Sequence, residues 1–203
     1  MEKNSLPWDQ ILAQHLVRPL ARTPITPNQL TAVTVIFALG GAGLLALGDS
    51  YYANWGAGLF VLARFLDHFD GELARLKGMA SKFGYYFDYA AGAISYSALF
   101  LALGIGLQEG FLENWSILLG IIGAFAAIIG AFSNISIDRF TGGDDTGDAV
   151  GYPGFAGFEL EDGIYLLAPI TWCGFLYPFF VAAGTGAALY GLWTLALWRR
   201  LKP

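Results

Sequence analysis

Six apolar runs separated by short polar links dominate the chain. They lie near Leu30–Leu47, Trp55–Ala74, Tyr85–Leu107, Trp115–Ile137, Gly163–Val181 and Thr185–Trp198. Most approach the ~20 residues that a helix needs to cross a hydrocarbon core. The second and third carry Asp residues at the ends that face each other across a short link, and the sixth is short and glycine-rich. Ahead of them, Trp8, Ile11, Leu12, His15, Leu16 and Leu20 recur at helical spacing, with Asp9, Gln10, Gln14 and Arg18 between them. This predicts an amphipathic helix, either lying in the membrane interface or packed on the protein's own face. Thr26-Pro27-Asn28 reads as a helix start, Thr as N-cap and Pro at the first helical position. The expected architecture is all-α and polytopic: one domain over 1–203, with a juxtamembrane segment 1–26 and a six-helix bundle 27–203.

Charge sets the orientation. Lys and Arg collect in cytoplasmic loops. Lys3, Arg18, Arg22, Arg75, Lys77, Lys82, Arg139, Arg199, Arg200 and Lys202 all fall on one side of six alternating spans, which leaves Arg64 alone of the 11 basic residues inside a span. The links at Asp49, Gln108–Asn114 and Ala182–Gly184 hold neither Lys nor Arg. Both termini are therefore expected in the cytoplasm. Met1–Gln10 is polar, so no cleavable leader is expected. Trp8, Trp55, Trp115 and Trp198 sit near helix ends, as an interfacial aromatic belt requires.

Composition agrees. Hydrophobic residues make up 56% of the chain and charged residues 13%, about half of what a water-facing surface usually carries. A net charge of -5 argues against a nucleic-acid partner. One cysteine, Cys173, and two histidines, His15 and His68, leave no disulfide and no thiol or imidazole metal cage. Cys173 is expected in an apolar helix. The segment Thr141–Glu161 reads as an acidic cytoplasmic loop, and its Asp144, Asp145 and Asp148 lack the spacing of a calcium loop.

Three carboxylates stand where carboxylates are expensive. An acid inside a membrane segment usually marks function. Asp67 and Asp70, three apart, share a helix face, and Asp88 opens the next helix. Two antiparallel neighbours would gather all three near the cytoplasmic interface, where a divalent cation with hard oxygen ligands would relieve their repulsion. Gly71, Ala74 and Gly78 keep one ridge small, and Arg75 and Lys82 suit a pyrophosphate. A plain set of interfacial ion pairs is the competing structural explanation. His68, inside the cluster, is expected to be an ordinary interfacial histidine.

Residues 67–88 read Asp67-x2-Asp70-Gly71-x2-Ala74-Arg75-x8-Gly84-x3-Asp88. This resembles the signature of the CDP-alcohol phosphotransferase family, D-x2-DG-x2-AR-x8-G-x3-D-x3-D. Pro27-Asn28-Gln29-Leu30-Thr31, ahead of the first span, resembles the family's lead-in segment. The resemblance implies metal-dependent transfer of a phosphoalcohol group from a CDP-alcohol, such as CDP-diacylglycerol, to a hydroxyl acceptor, with release of CMP. It also implies a homodimer and a membrane-lipid partner. Carried over by position, Asp67, Asp70 and Asp88 hold Mg²⁺ or Mn²⁺, with Asp70 and Asp88 catalytic. Asp67, Gly71, Ala74, Arg75, Lys82 and Gly84 meet the nucleotide. Ser133, Ser136, Asp138 and Arg139, at the end of the fourth span, are the acceptor-side candidates. The single cation among them favours a neutral or amine-bearing alcohol over a phosphorylated one. Gly120, Gly123 and Gly130 would allow close helix packing within or between subunits.

One position departs from the signature. The last Asp falls on Gly92, which can neither bind metal nor accept a proton. Either another group serves (Asp138, Glu161, Asp162 or a metal-bound hydroxide), or the chain is impaired or non-catalytic and binds nucleotide and metal only. A small ion-coupled transporter using the same acids is a third class, but such proteins often show internal repeats and none is visible here.

Overall fold

The structure, a computed structural model, describes residues 8–141, 154–155 and 158–201. It is all-helical apart from one antiparallel pairing two residues long, Gly154–Phe155 with Phe158–Glu159. In chain order the helices are α1 (Trp8–Leu16), a 3-10 turn (Arg18–Arg22), α2 (Pro27–Ala46), α3 (Ser50–Lys77), α4 (Lys82–Gly106), α5 (Asn114–Thr141), a 3-10 segment (Leu160–Leu166), α6 (Leu167–Trp172) and α7 (Leu176–Leu201).

Local chemistry fixes where these helices begin and end. Thr26 accepts a hydrogen bond from the Gln29 N–H, and the Gln29 side chain accepts from the Thr26 N–H, a reciprocal cap with Pro27 just inside. Asp49 caps α3 through the N–H groups of Tyr51 and Tyr52. Ser81 caps α4 through Gly84 N–H. Between them α3 is closed by Gly78 in the left-handed region, φ 62°, a conformation that costs glycine nothing. Lys77 then donates to the carbonyls of Thr23 and Ile25 at 2.6 Å each, which pins the approach to α2 against the end of α3.

Among the described residues four helices are long and apolar enough to cross a membrane: Pro27–Ala46, Lys82–Gly106, Asn114–Asp138 and Leu176–Arg200. The chain is an integral membrane protein. Its packing has the matching inversion. The contact between α2 and α3 is built largely from Ala38, Ala42, Ala53, Ala57 and Ala63 with Phe60. Ile36, Leu39, Ile94, Leu101, Phe125, Leu189 and Leu192 face outward. Lipid tails are as apolar as leucine, so burying a large side chain gains little, whereas small residues let helices approach closely.

Two of the expected spans take other forms. The second lies in α3, which is long enough but carries Arg64, Asp67, Asp70, Glu72 and Arg75, so it is the polar helix of the bundle. The fifth, expected over Gly163–Val181, is broken. A 3-10 segment and the six-residue α6 end at a turn where Gly174 has φ 79°, and α7 begins at Leu176. The link expected at Ala182–Gly184 is interior to α7, where Gly184 packs against Leu119. Cys173 is exposed in the turn, not within an apolar helix. The broken segment nevertheless runs along part of α3. At one end Tyr165 meets α1 and the charged half of α3; at the other the Trp172 indole donates to the Asn54 carbonyl at 3.1 Å. A 3-10 helix rises ~2 Å per residue against ~1.5 Å for an α-helix, so this mixed segment reaches roughly 23 Å in few residues.

Helices α5 and α7 are parallel, with Leu119 beside Gly184, Ala126 beside Gly191 and Phe132 beside Trp198. Helix α2 packs along both α3 and α4, while α3 and α4 make few direct contacts with each other. The expectation that α3 and α4 are close neighbours is thus replaced by a gap, with α2 as the common backing. Gly120 and Gly123 serve the α4–α5 crossing within the chain. A Cβ on Gly120 would lie 2.6 Å from the Phe100 carbonyl, and one on Gly123 would lie 2.5 Å from the Phe100 ring. Substituting Gly120→Val should force α4 and α5 apart and destabilise the fold by about 1–3 kcal/mol, the usual scale for overpacking. Thermal denaturation in detergent checks this; an unchanged midpoint would refute the crossing.

Candidate active site

The gap between α3 and α4 holds the acids. The i, i+3 relation places Asp67 and Asp70 on one face of α3, and Asp88 stands across the gap on α4. Carboxylate oxygens of the three lie within 4.8 Å of one another. Oxygen donors so close, drawn from two helices, form a set that a Mg²⁺- or Mn²⁺-sized cation could occupy.

Each acid is held differently. Asp70 is 6% exposed and accepts from the Thr31 hydroxyl of α2, with a 2.6 Å bond from Gly71 N–H. Asp67 lies 2.8 Å from Arg64 Nη1, one turn earlier on α3. Asp88 is the exposed member. Thr31 and Arg64 were not singled out by sequence. Thr31 stands in the lead-in segment, which signalled it; Arg64 was visible only as the one basic residue inside a span.

A cavity of about 1410 Å³ opens from this cluster. Around the acids it is lined by Asn28, Thr31, Gly71, Ala74, Arg75 and Gly84, so the small ridge expected from sequence does border open space. Lys82 does not line it. Arg75 reaches Glu72, 3.2 Å away on its own helix. Gly84 sits against Asn28 of α2, where a Cβ would lie 3.4 Å from Asn28 Oδ1. The cavity continues along α4 past Tyr85, Tyr89 and Gly92 to Leu103. From Tyr85 to Leu103 that path is about 27 Å at the α-helical rise, close to the thickness of a hydrocarbon core. Opposite α4, Gly130, Ala131, Gly186 and Ala187 keep it wide.

The acceptor-side candidates do not gather into one site. Asp138 is 2% exposed and accepts from both the Tyr85 and Tyr89 hydroxyls, 2.7 Å each. Ser136 donates to the Phe132 carbonyl of its own helix. Ser133 is buried away from the cavity lining. The Arg139 and Glu161 side chains, and the acidic stretch 142–153, lie outside the described residues. At Gly92, where the resemblance expects a further Asp, a Cβ would meet nothing within 4 Å.

Helix α1 turns its polar side toward the protein. Asp9 is 1% exposed, with its carboxylate 2.6 Å from His68 Nε2 and accepting from the Tyr165 hydroxyl at 2.8 Å. Gln10 and Gln14 line the cavity mouth, and Ile11, Leu12 and Leu16 are exposed. The polar side turns to the protein's polar mouth and the apolar side outward. His68 is thus a partner of the N-terminal helix, a link across 59 residues that no local pattern announced.

The family described as CDP-alcohol phosphatidyltransferase has a model that matches residues 24–148. The phosphatidylinositol phosphate synthase of Corynebacterium glutamicum is 33% identical over 94 residues, 46% of this chain and 42% of that protein. The archaetidylinositol phosphate synthase of Pyrococcus horikoshii is 31% identical over 121 residues, 59% of this chain and 56% of that one. The chain thus aligns with about half the length of these relatives. The fold is similar to the crystal structure of Mycobacterium tuberculosis phosphatidylinositol phosphate synthase with CDP-DAG bound, TM-score 0.68, 19% identical, covering 94% of this chain and 93% of that one. The same protein in complex with manganese and citrate gives the same TM-score of 0.68.

Burial alone would raise the Asp9 carboxyl, but His68, Tyr165 and the Gln10 N–H hold it down, to about 2. A depressed folded-state value means that its stabilisation is complete above the ordinary carboxylate range and is lost as pH falls from about 4 to about 2. Asp9→Asn should therefore cost about 2 kcal/mol at neutral pH, with the gap to the unsubstituted protein closing below pH 4. Denaturation midpoints of both proteins against pH test this; a gap that persists to pH 2 would contradict it.

Proposed function

The chain belongs to the CDP-alcohol phosphatidyltransferase family, and on that footing we propose that it transfers a phosphoalcohol group from a CDP-linked lipid to a hydroxyl acceptor, releasing CMP, in phospholipid synthesis. The observation that carries this reading is the convergence of Asp67, Asp70 and Asp88 within 4.8 Å at the mouth of a long, largely apolar cavity. In this reading the three acids hold a divalent ion. When bound, Mg²⁺ or Mn²⁺ supplies Lewis-acid stabilisation of the charge at phosphorus. The residues do the rest. Thr31 fixes the rotamer of Asp70, and Arg64 orients Asp67. Gly71 and Ala74 leave room for the nucleotide along α3, and Arg75 stands one turn on, toward its phosphates. The apolar run from Gly92 to Leu103 has the length of a lipid chain, which favours a lipid-borne donor.

The proposal includes six membrane crossings, with the segment 160–172 as the fifth. Its support is the passage of that segment along α3, from Tyr165 beside the Asp9–His68 pair to Trp172 beside Asn54. With that pass the cationic ends of α3 and α7 and the mouth of the cavity fall on one side, the cytoplasmic side by the distribution of Lys and Arg.

A second reading has its own observation. Position 92 is open and holds no carboxylate, and Asp138 already accepts from two phenols. A chain without its base would bind nucleotide and metal with slow turnover, because losing a general base typically costs about 10²–10⁴ in rate.

Purified protein in nanodiscs, given Mn²⁺, labelled CDP-diacylglycerol and a panel of alcohols, should release CMP, and Asp70→Asn should lower that release at least about 100-fold. Metal-dependent CDP binding without release would select the second reading, and absence of CDP binding would remove both. Gly92→Asp meets open space, so it should fold normally. It should raise turnover by about 10²–10⁴ if the missing base limits the rate; an unchanged rate would exclude that limitation.

A further inference from the structure

Tyr85, Tyr89 and Gly92 fall on one face of α4, at i, i+4 and i+7, and all three line the cavity. Both phenol hydroxyls donate to a single oxygen, Asp138 Oδ2 of α5, at 2.7 Å. Their rings lie 5.0 Å apart, edge to face. Asp138 is 2% exposed and does not itself line the cavity, so two tyrosines stand between its charge and the open space. This arrangement has a chemical polarity. A phenol that has given its proton to a carboxylate keeps its lone pairs and becomes a better acceptor, because bonds in a chain polarise one another. The side of the cavity beside Gly92 therefore offers two neighbouring acceptors backed by a buried carboxylate.

Resting on the transferase reading above, we propose that Tyr85 and Tyr89 bind the acceptor, with Asp138 as their positioning residue, and that they select an acceptor without a phosphate group: a polyol or an amino alcohol. Such a molecule can donate hydroxyl or ammonium hydrogens to the two phenol oxygens while its reacting hydroxyl occupies the space at Gly92, one turn from Asp88. A phosphate has little to donate to the two phenol oxygens. Among the described residues the arginines that line the cavity, Arg64 and Arg75, are paired with Asp67 and Glu72 on α3, and His68 with Asp9. Lys82 lies a turn before Tyr85–Tyr86 and outside the lining.

Matched acceptors decide the matter: inositol against inositol 1-phosphate, glycerol against glycerol 3-phosphate, and ethanolamine. Protein in nanodiscs with Mn²⁺ and CDP-diacylglycerol is assayed for CMP release, and acceptor binding to the CDP-loaded protein is measured separately by calorimetry. The unphosphorylated member of each pair should bind more tightly. Tyr89→Phe and Tyr85→Phe should each raise acceptor KM or Kd about three- to tenfold, the scale of one lost hydrogen bond, and leave the Kd for CDP-diacylglycerol unchanged. Asp138→Asn should shift acceptor affinity in the same direction. An unchanged CDP-diacylglycerol Kd also shows that the variants are folded. Preference for the phosphorylated partners, or Tyr→Phe variants with unaltered acceptor affinity, overturns the proposal and leaves the transferase reading standing. Failure of the unsubstituted protein to bind CDP-diacylglycerol in Mn²⁺ overturns the transferase reading and this proposal together.

Discussion

Three like charges held within 4.8 Å of one another are the constraint around which this protein is built. At that separation each pair repels by about 3 kcal/mol even at an effective dielectric of about 20. A chain with 13% charged residues places them there against its own composition. Much of the surrounding structure serves to hold or offset them. Arg64 stands beside Asp67, Thr31 and the Gly71 N–H satisfy Asp70, and Asp88 is left exposed at the mouth. Three carboxylates drawn from two helices form a set that a divalent cation could occupy.

The acids border a gap in the bundle. In a typical bundle α3 and α4, joined by only a few residues, would pack side by side. Here α2 packs against both and holds them apart. The caps at Gly78 and Ser81 fix the reversal of the chain, and the buttress of α2 fixes the width of the opening. What results is a cavity polar at one end and apolar for most of its length. That gradient matches a substrate with a charged head and a hydrocarbon tail. The N-terminal helix closes the polar end by turning Asp9, Gln10 and Gln14 inward and its leucines outward, the arrangement a mouth at the membrane surface favours.

Gly92 leaves the α4 side of the cavity open. Three acids and a ridge of small residues border the cavity, and a Cβ at Gly92 would meet open space. On the opposite wall a buried aspartate is engaged by two tyrosines. The wall of the cavity beside Gly92 therefore presents oxygen lone pairs from two phenols, a milder and more directional surface than a carboxylate.

The sequence by itself determined the helical class, the membrane environment and the acid cluster. Each is written in local terms: hydropathy over a window, caps such as Thr26 with Gln29, and the spacing from Asp67 to Asp88. Gly71, Ala74, Arg75 and Gly84, which line the cavity, were legible as one group for the same reason, since one helix turn and one short link relate them all. Tertiary structure alone decided what depends on pairings distant in the chain. Asp9 meets His68 and Tyr165, Thr31 meets Asp70, and Tyr85 and Tyr89 meet Asp138; periodicity assigns a residue to a face but cannot say what that face will touch. It also decided the broken segment before α7. An apolar stretch reads the same whether it is coiled as α or as 3-10, and only contacts with α3 at both ends determine which rise the chain adopts.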